Sequence, residues 1–95
     1  MQIDYIVCPD YIENKLESEH HVTIREARQV LLSKPRIRFA EKGHTEGNDV
    51  YGAFGQTFGG RYLSVFFVYK PETKTAIIIS ARDMSNKERK VYGRK

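Results

Sequence analysis

Ninety-five residues, 40% of them hydrophobic, are enough for one compact core and exclude two. The net charge of +4 is unevenly spread: residues 1–34 carry four basic and six acidic side chains, whereas residues 35–95 carry twelve basic against six acidic. The basic two-thirds either meets a polyanionic partner or is a solvated surface kept soluble by Lys and Arg.

The longest apolar runs, LSVFFVY and AIIISA, fall well short of the ~20 residues that a membrane helix needs. MQIDYIVCPD has no basic start ahead of a long apolar stretch, so a soluble, cytoplasmic protein without membrane contact is expected. The lone Cys8 lies among Ile6, Val7 and Pro9 with no basic neighbour to activate it, which reads as a small buried hydrophobe.

Three helix starts are written in the same way. Asp10 with Glu13, Thr23 with Glu26 and Ser85 with Glu88 each place a capping oxygen three residues before a carboxylate that can reach back to the cap's amide. The first helix, about 10–19, turns Tyr11, Ile12 and Leu16 inward; the second, about 24–33, spaces Ile24, Ala27, Val30 and Leu31 at helical intervals. Lys34-Pro35 ends it, because the residue before proline avoids the helical region.

After Pro35 the period changes to that of strands. RIRFAE, VYGAFGQ, RYLSVFFVYK and TAIIISAR are rich in β-branched and aromatic residues and are separated by short turns, which predicts a four-stranded antiparallel meander. IDYIV is either a further short strand or an extended lead-in. The expected fold is a single α+β domain over residues 1–95, with two N-terminal helices, a four-stranded antiparallel sheet and a C-terminal helix.

Hairpin register bears on the site. If PETK is a four-residue loop with Lys70 facing Thr75, Arg82 falls opposite Leu63 and shares a face and an end with Arg61. The same assumption for TFGG pairs Gln56 with Arg61 and adds Gly52 and Phe54 to that face. A loop one residue shorter would send Arg82 to the other side.

HHVTIREARQVL, GHTEGNDVYGAFGQ, GGRYLSVFFVY and above all IIISARDMSNKERKVY resemble the BrnT family of type II toxins, small ribonucleases with a RelE-like fold. The resemblance covers roughly residues 10–92, and SAR followed by a capped helix containing ER and then Tyr is its most specific part. It implies cleavage of RNA that blocks translation, on free or ribosome-associated transcripts. It also implies a BrnA-like antitoxin encoded alongside, which masks the basic surface and represses operator DNA only as the complex. His20, Val22 and Ile24 to Ala27 match the turn and helix start of the pattern; His44, Glu46, Tyr51, Arg61, Arg82, Glu88, Arg89 and Tyr92 match its later part. The chain departs from the pattern at Glu19, His21, Val50 and Ile77, where lysine, glycine, an often basic residue and arginine are usual.

Metal-independent cleavage of RNA makes a defined set of demands on side chains. The ribose 2′-hydroxyl attacks, so the site must orient it, move protons and neutralise a pentacovalent phosphorane. Arg61 and Arg82 are the candidates for gripping phosphate oxygens, since a guanidinium fork stays charged and binds two oxygens at once. His44 is a candidate for proton transfer with Glu46 assisting, or a turn residue without chemistry beside a solvating carboxylate. Tyr51, Tyr69 and Tyr92 are candidates for stacking on splayed bases or for ordinary core packing, Tyr92 also for proton donation beside nearby cations, and Lys87 and Arg89 for contacts to the RNA backbone. No metal-spaced His/Cys set, paired carboxylates or phosphate-binding glycine loop appears, so no cofactor and no metal are expected. Two other readings stand beside the enzyme: a non-catalytic member that binds RNA or only its antitoxin, and a purely structural adaptor.

Overall fold

The computed structural model describes residues 1–45 and 47–93. Its elements run β1 (Tyr5–Val7), α1 (Asp10–His20), α2 (Ile24–Leu32), β2 (Arg36–Glu41), β3 (Val50–Gln56), β4 (Tyr62–Lys70), β5 (Thr75–Asp83) and α3 (Asn86–Gly93).

Two of the three capping boxes form as the sequence predicts. The Glu26 amide donates to Thr23 Oγ1 at 3.1 Å and Glu26 Oε1 accepts from the Thr23 amide at 3.1 Å. Glu88 and Ser85 make the same exchange at 2.9 and 3.1 Å. The first helix differs: Pro9, not Asp10, is its N-cap, with φ −57° and no capping side chain. Proline presets that angle, and its carbonyl accepts from the Ile12 and Glu13 amides, both at 3.0 Å. Asp10 and Glu13 therefore sit inside the first turn, where their charge complements the helix dipole. α1 closes on His21 in the left-handed region, φ 53°, with the Val22 amide returning to the Leu16 carbonyl at 3.1 Å.

The sheet has five strands in the order β1-β5-β4-β3-β2, one more than the four expected. The expected antiparallel meander is β2 to β5, and the addition is Tyr5–Val7, which pairs parallel to β5 through Tyr5↔Thr75, Ile6↔Ala76 and Val7↔Ile77. The extra strand is only three residues long, below the length at which alternation can be told from a lead-in.

Both helices preceding the meander cover one face. α1 packs on β5 and α2 on β3 and β4. Ile12, Leu16, Val22, Ala27, Val30 and Leu31 from the helical side meet Ala53, Leu63, Val65, Phe67, Ala76, Ile78 and Ala81 from the strands in one buried cluster. Among the described residues no helix is long and apolar enough to cross a membrane.

Register departs from expectation in two places. β3 and β4 pair Gln56 with Tyr62 rather than with Arg61, because the connection is one residue longer than four. Thr57 and Arg61 close it, the Thr57 amide donating to the Arg61 carbonyl at 2.9 Å, and Gly60 at φ +89° takes the turn that a side chain would oppose. Along β5, Lys70↔Thr75 holds as expected, but a β-bulge separates Phe67↔Ile78 from Phe66↔Ser80 and leaves Ile79 as the extra residue. Arg82 therefore faces Ser64, not Leu63. The cause is the core itself: Ile78 and Ala81 are both fully buried, and strict alternation would have turned Ala81 to solvent and driven Ser80 and Arg82 under the helices.

Candidate nucleic-acid interface

The bulge decides which face carries Arg82. Arg82, Ser64, Phe54 and Arg36 form one cross-strand row, and Phe66, Gly52 and Arg38 the next, on the face away from α1 and α2. The rings of Phe54 and Phe66 meet edge to face at 6.3 Å. A Cβ at Gly52 would stand 3.1–3.2 Å from both rings, so glycine lets them close over the strand.

α3 lies across one end of this face. Its anchor is Glu88: Oε1 accepts from Arg82 Nη1 at 2.7 Å, Ser64 Oγ at 3.0 Å and the Ser85 amide at 2.9 Å, and Oε2 accepts from Arg82 Nη2 at 2.9 Å. The Arg82 hydrogen bond above all holds the Glu88 carboxyl down at about 2, and the same contact raises Arg82. Arg82 also rests over the Phe66 ring at 5.3 Å. Further along α3, Arg89 stacks over Tyr62 at 4.2 Å, Tyr92 meets Tyr62 edge to face at 6.0 Å, and Arg36 Nη1 donates to the Val91 carbonyl at 3.1 Å.

Between α3 and the β2–β3 edge runs a groove lined by Arg36, Arg38, Phe54, Lys87, Glu88 and Tyr92. Arg38 and Lys87 are exposed, and among the described residues neither has an ion-pair partner. Cations from both elements and aromatic surface in one groove suit a single-stranded polyanion whose bases can stack.

Arg61 is elsewhere. It shares an end of the sheet with Arg82 but not a face, which corrects the expectation drawn from a four-residue loop. Nε and Nη2 donate to Asp83 at 2.7 and 3.3 Å, Nη1 to the His21 carbonyl at 2.7 Å and Glu26 at 3.2 Å, and Nη2 to the His20 carbonyl at 3.1 Å. Every N–H of the guanidinium is thereby used within the fold. Its hydrogen bond with Asp83 is the main cause that raises Arg61 and lowers Asp83.

The other candidates scatter. Tyr51 packs on the core, stacked on Phe67 at 6.1 Å, and Tyr69 donates to the Gln2 carbonyl at 2.5 Å; both face the helical side, apart from Lys87, Arg89 and Tyr92. His44 is exposed in the β2–β3 loop and shares a surface depression with Val50. Val50 is four residues from Phe54, about 13 Å along β3 at the usual strand rise, so His44 stands at the far end from Arg82. Glu46 lies outside the described residues. Cys8 is half-buried, and burial foremost pushes its thiol up, as a packing residue rather than a nucleophile requires. Among the described residues no group of three His, Cys, Asp or Glu comes together as a metal would need.

Sequence reasoning did not single out Arg36, Arg38, Phe54 or Ser64 as site residues. The signal for the first two was present in RIRFAE, where both arginines alternate with Ile37 and Phe39. What was missing is the pairing that lays them beside Phe54 and Gly52.

No curated protein matches this sequence. The family model described as "Ribonuclease toxin, BrnT, of type II toxin-antitoxin system" matches residues 13–88, from the first turn of α1 to the Glu88 anchor of α3. With the basic groove and its capped C-terminal helix in place, that match over most of the chain makes this protein a member of the BrnT family, the ribonuclease toxins of type II toxin-antitoxin systems.

Proposed function

We propose that the chain is a metal-independent endoribonuclease that binds single-stranded RNA in the groove between α3 and the β2–β3 edge and arrests translation by cutting it. The observation that carries this reading is that Arg38 of β2 and Lys87 of α3 line one groove together with the aromatic rings of Phe54 and Tyr92. A phosphodiester held by the two cations would keep its negative charge balanced as the 2′-hydroxyl attacks and the phosphorane forms. Phe54 and Tyr92 supply faces for the flanking bases. Arg82 is a positioning residue here: by filling its fork with Glu88 it fixes the first turn of α3, and with it Lys87 and Arg89. Arg61, Tyr51 and Tyr69, which face the other side of the sheet, have no part in this groove.

The test is incubation of the purified protein with a long single-stranded RNA in excess chelator, with analysis of the new ends. Cleavage that leaves 2′,3′-cyclic phosphates, weakens as salt rises and is lost in Arg38→Ala with Lys87→Ala is the expected result. Cleavage abolished by the chelator removes the metal-independent mechanism. Intact RNA with salt-dependent binding favours instead a toxin that only grips its target.

A further inference from the structure

We infer that the aliphatic row on the uncovered end of the sheet is the surface on which the antitoxin anchors, with an acidic part of the same segment reaching into the neighbouring cationic groove. The inference rests on the reading of that groove as the RNA site, since it states how the same site is silenced.

The row follows from the register. Val7 pairs with Ile77, Ile77 with Val68 and Val68 with Val50, so four β-branched aliphatic side chains stand side by side across β1, β5, β4 and β3. They are on the face opposite α1 and α2: their strand neighbours Ile6, Ile78, Phe67 and Tyr51 point into or against the core, and none of the four packs on it. α3 does not reach them, because its contacts fall two rows away on Ser64 and Arg82 and three rows away on Tyr62. Val7 is 47% exposed, Ile79 on the bulge beside it 38% and Tyr5 at the margin 64%.

A solvated sheet face ordinarily carries polar side chains, so a contiguous apolar row marks a contact surface. Three occupants compete for it. RNA is a poor fit, because β-branched aliphatics offer neither a cation for phosphate nor a flat face for a base. A second copy of this chain would bring like charges together, since the row next to the aliphatic one holds Arg38, with Arg82 and Lys87 beyond, on a chain of net charge +4. A protein segment with aliphatic side chains at one end and carboxylates at the other satisfies both parts of the face at once. The partner of a type II toxin that must cover the RNA site is its antitoxin, and the row is continuous with that site.

The antitoxin encoded beside the toxin, purified, is titrated against wild type, Val7→Glu and Ile77→Glu, with thermal unfolding and RNA cleavage measured on the same samples. Val7 lies on an edge strand and half in water, so its replacement leaves the core intact. Expected is an antitoxin affinity at least ~30-fold weaker for Ile77→Glu and ~10-fold weaker for Val7→Glu, with RNA cleavage within about twofold of wild type. Unchanged antitoxin affinity in variants that fold and cleave would overturn the inference. So would a loss of RNA binding at unchanged antitoxin affinity, which would assign the row to the target, or a wild-type dimer that Val7→Glu splits. Affinity is read independently of cleavage, so a wild type that leaves RNA intact removes the groove reading alone while the titration still decides the row.

Discussion

Two arginines stand near one end of this sheet, both paired with carboxylates, and they serve different regions. Arg61 closes the helix-covered side: its five N–H donors tie the start of β4 to Asp83 at the end of β5, to the last carbonyls of α1 and to the first turn of α2. Those helix-end carbonyls lack intrahelical partners, and a guanidinium satisfies them while complementing the dipole. Arg82 serves the other side, where its fork holds Glu88 and leaves Lys87 and Arg89 on the turn that borders the groove. An arginine near a strand end is thus ambiguous by itself. The number of its donors already spent within the fold tells whether it is a staple or part of a platform.

The largest effect that would break this contrast is expected in the groove. Arg38→Ala combined with Lys87→Ala should lower RNA cleavage by on the order of 100-fold or more, while the thermal midpoint stays within a few degrees of wild type. Single-turnover cleavage beside calorimetry checks it. Arg61→Ala should do the opposite: about 2 kcal/mol of stability is lost, roughly 10 °C in the midpoint, because two carboxylates and two helix-end carbonyls lose their donor. Cleavage measured well below that midpoint should remain within about threefold of wild type. An Arg61→Ala protein that is stable but inactive would return Arg61 to the RNA site.

Glu88→Gln sharpens the comparison from the carboxylate side. It removes the ion pair and weakens the capping box of α3, at a cost of about 1 kcal/mol near neutral pH. Acid titration adds a sign. The Glu88 carboxyl sits at about 2 in the folded chain against an ordinary 4.5, so its stabilisation is complete above about pH 4.5 and is lost as pH falls toward 2. Asp83, lowered beside Arg61, works in the same direction below its ordinary 3.8. Equilibrium unfolding across that range should show a shallower acid loss in Glu88→Gln than in wild type. The smallest effect belongs to His21→Gly. The residue lies at φ 53°, where glycine has no steric cost, and the variant should be more stable by about 0.5 kcal/mol without change in cleavage.

Much of this fold was legible before any coordinates. The capping boxes at Thr23 and Ser85, the stop at Lys34-Pro35 and the change to strand period after it are local signals, and each appears where expected. Where local signals were short or shared, they misled. Pro9 took the cap that Asp10 was expected to hold, and the three residues of β1 were too few to declare a strand. The site was less legible still. Lys87, Arg89 and Tyr92 do fall on one helix beside Arg82, but the expected partnership of Arg82 with Arg61 failed on a single bulge residue, Ile79.

By itself the sequence determined the order of the helices and of the four meander strands, the helix boundaries at Thr23, Ser85 and Lys34-Pro35, the basic character of the C-terminal two-thirds and membership of the toxin family, because local signals carry them. Tertiary structure decided which face each side chain takes. A strand has a period of two, so one extra residue forced by burying both Ile78 and Ala81 exchanges the faces of everything beyond it. That exchange puts Arg82 with Arg36, Arg38 and Lys87, while strand pairings outside the bulge give Arg61 to the helices and set Val7, Ile77, Val68 and Val50 side by side on the uncovered end of the sheet.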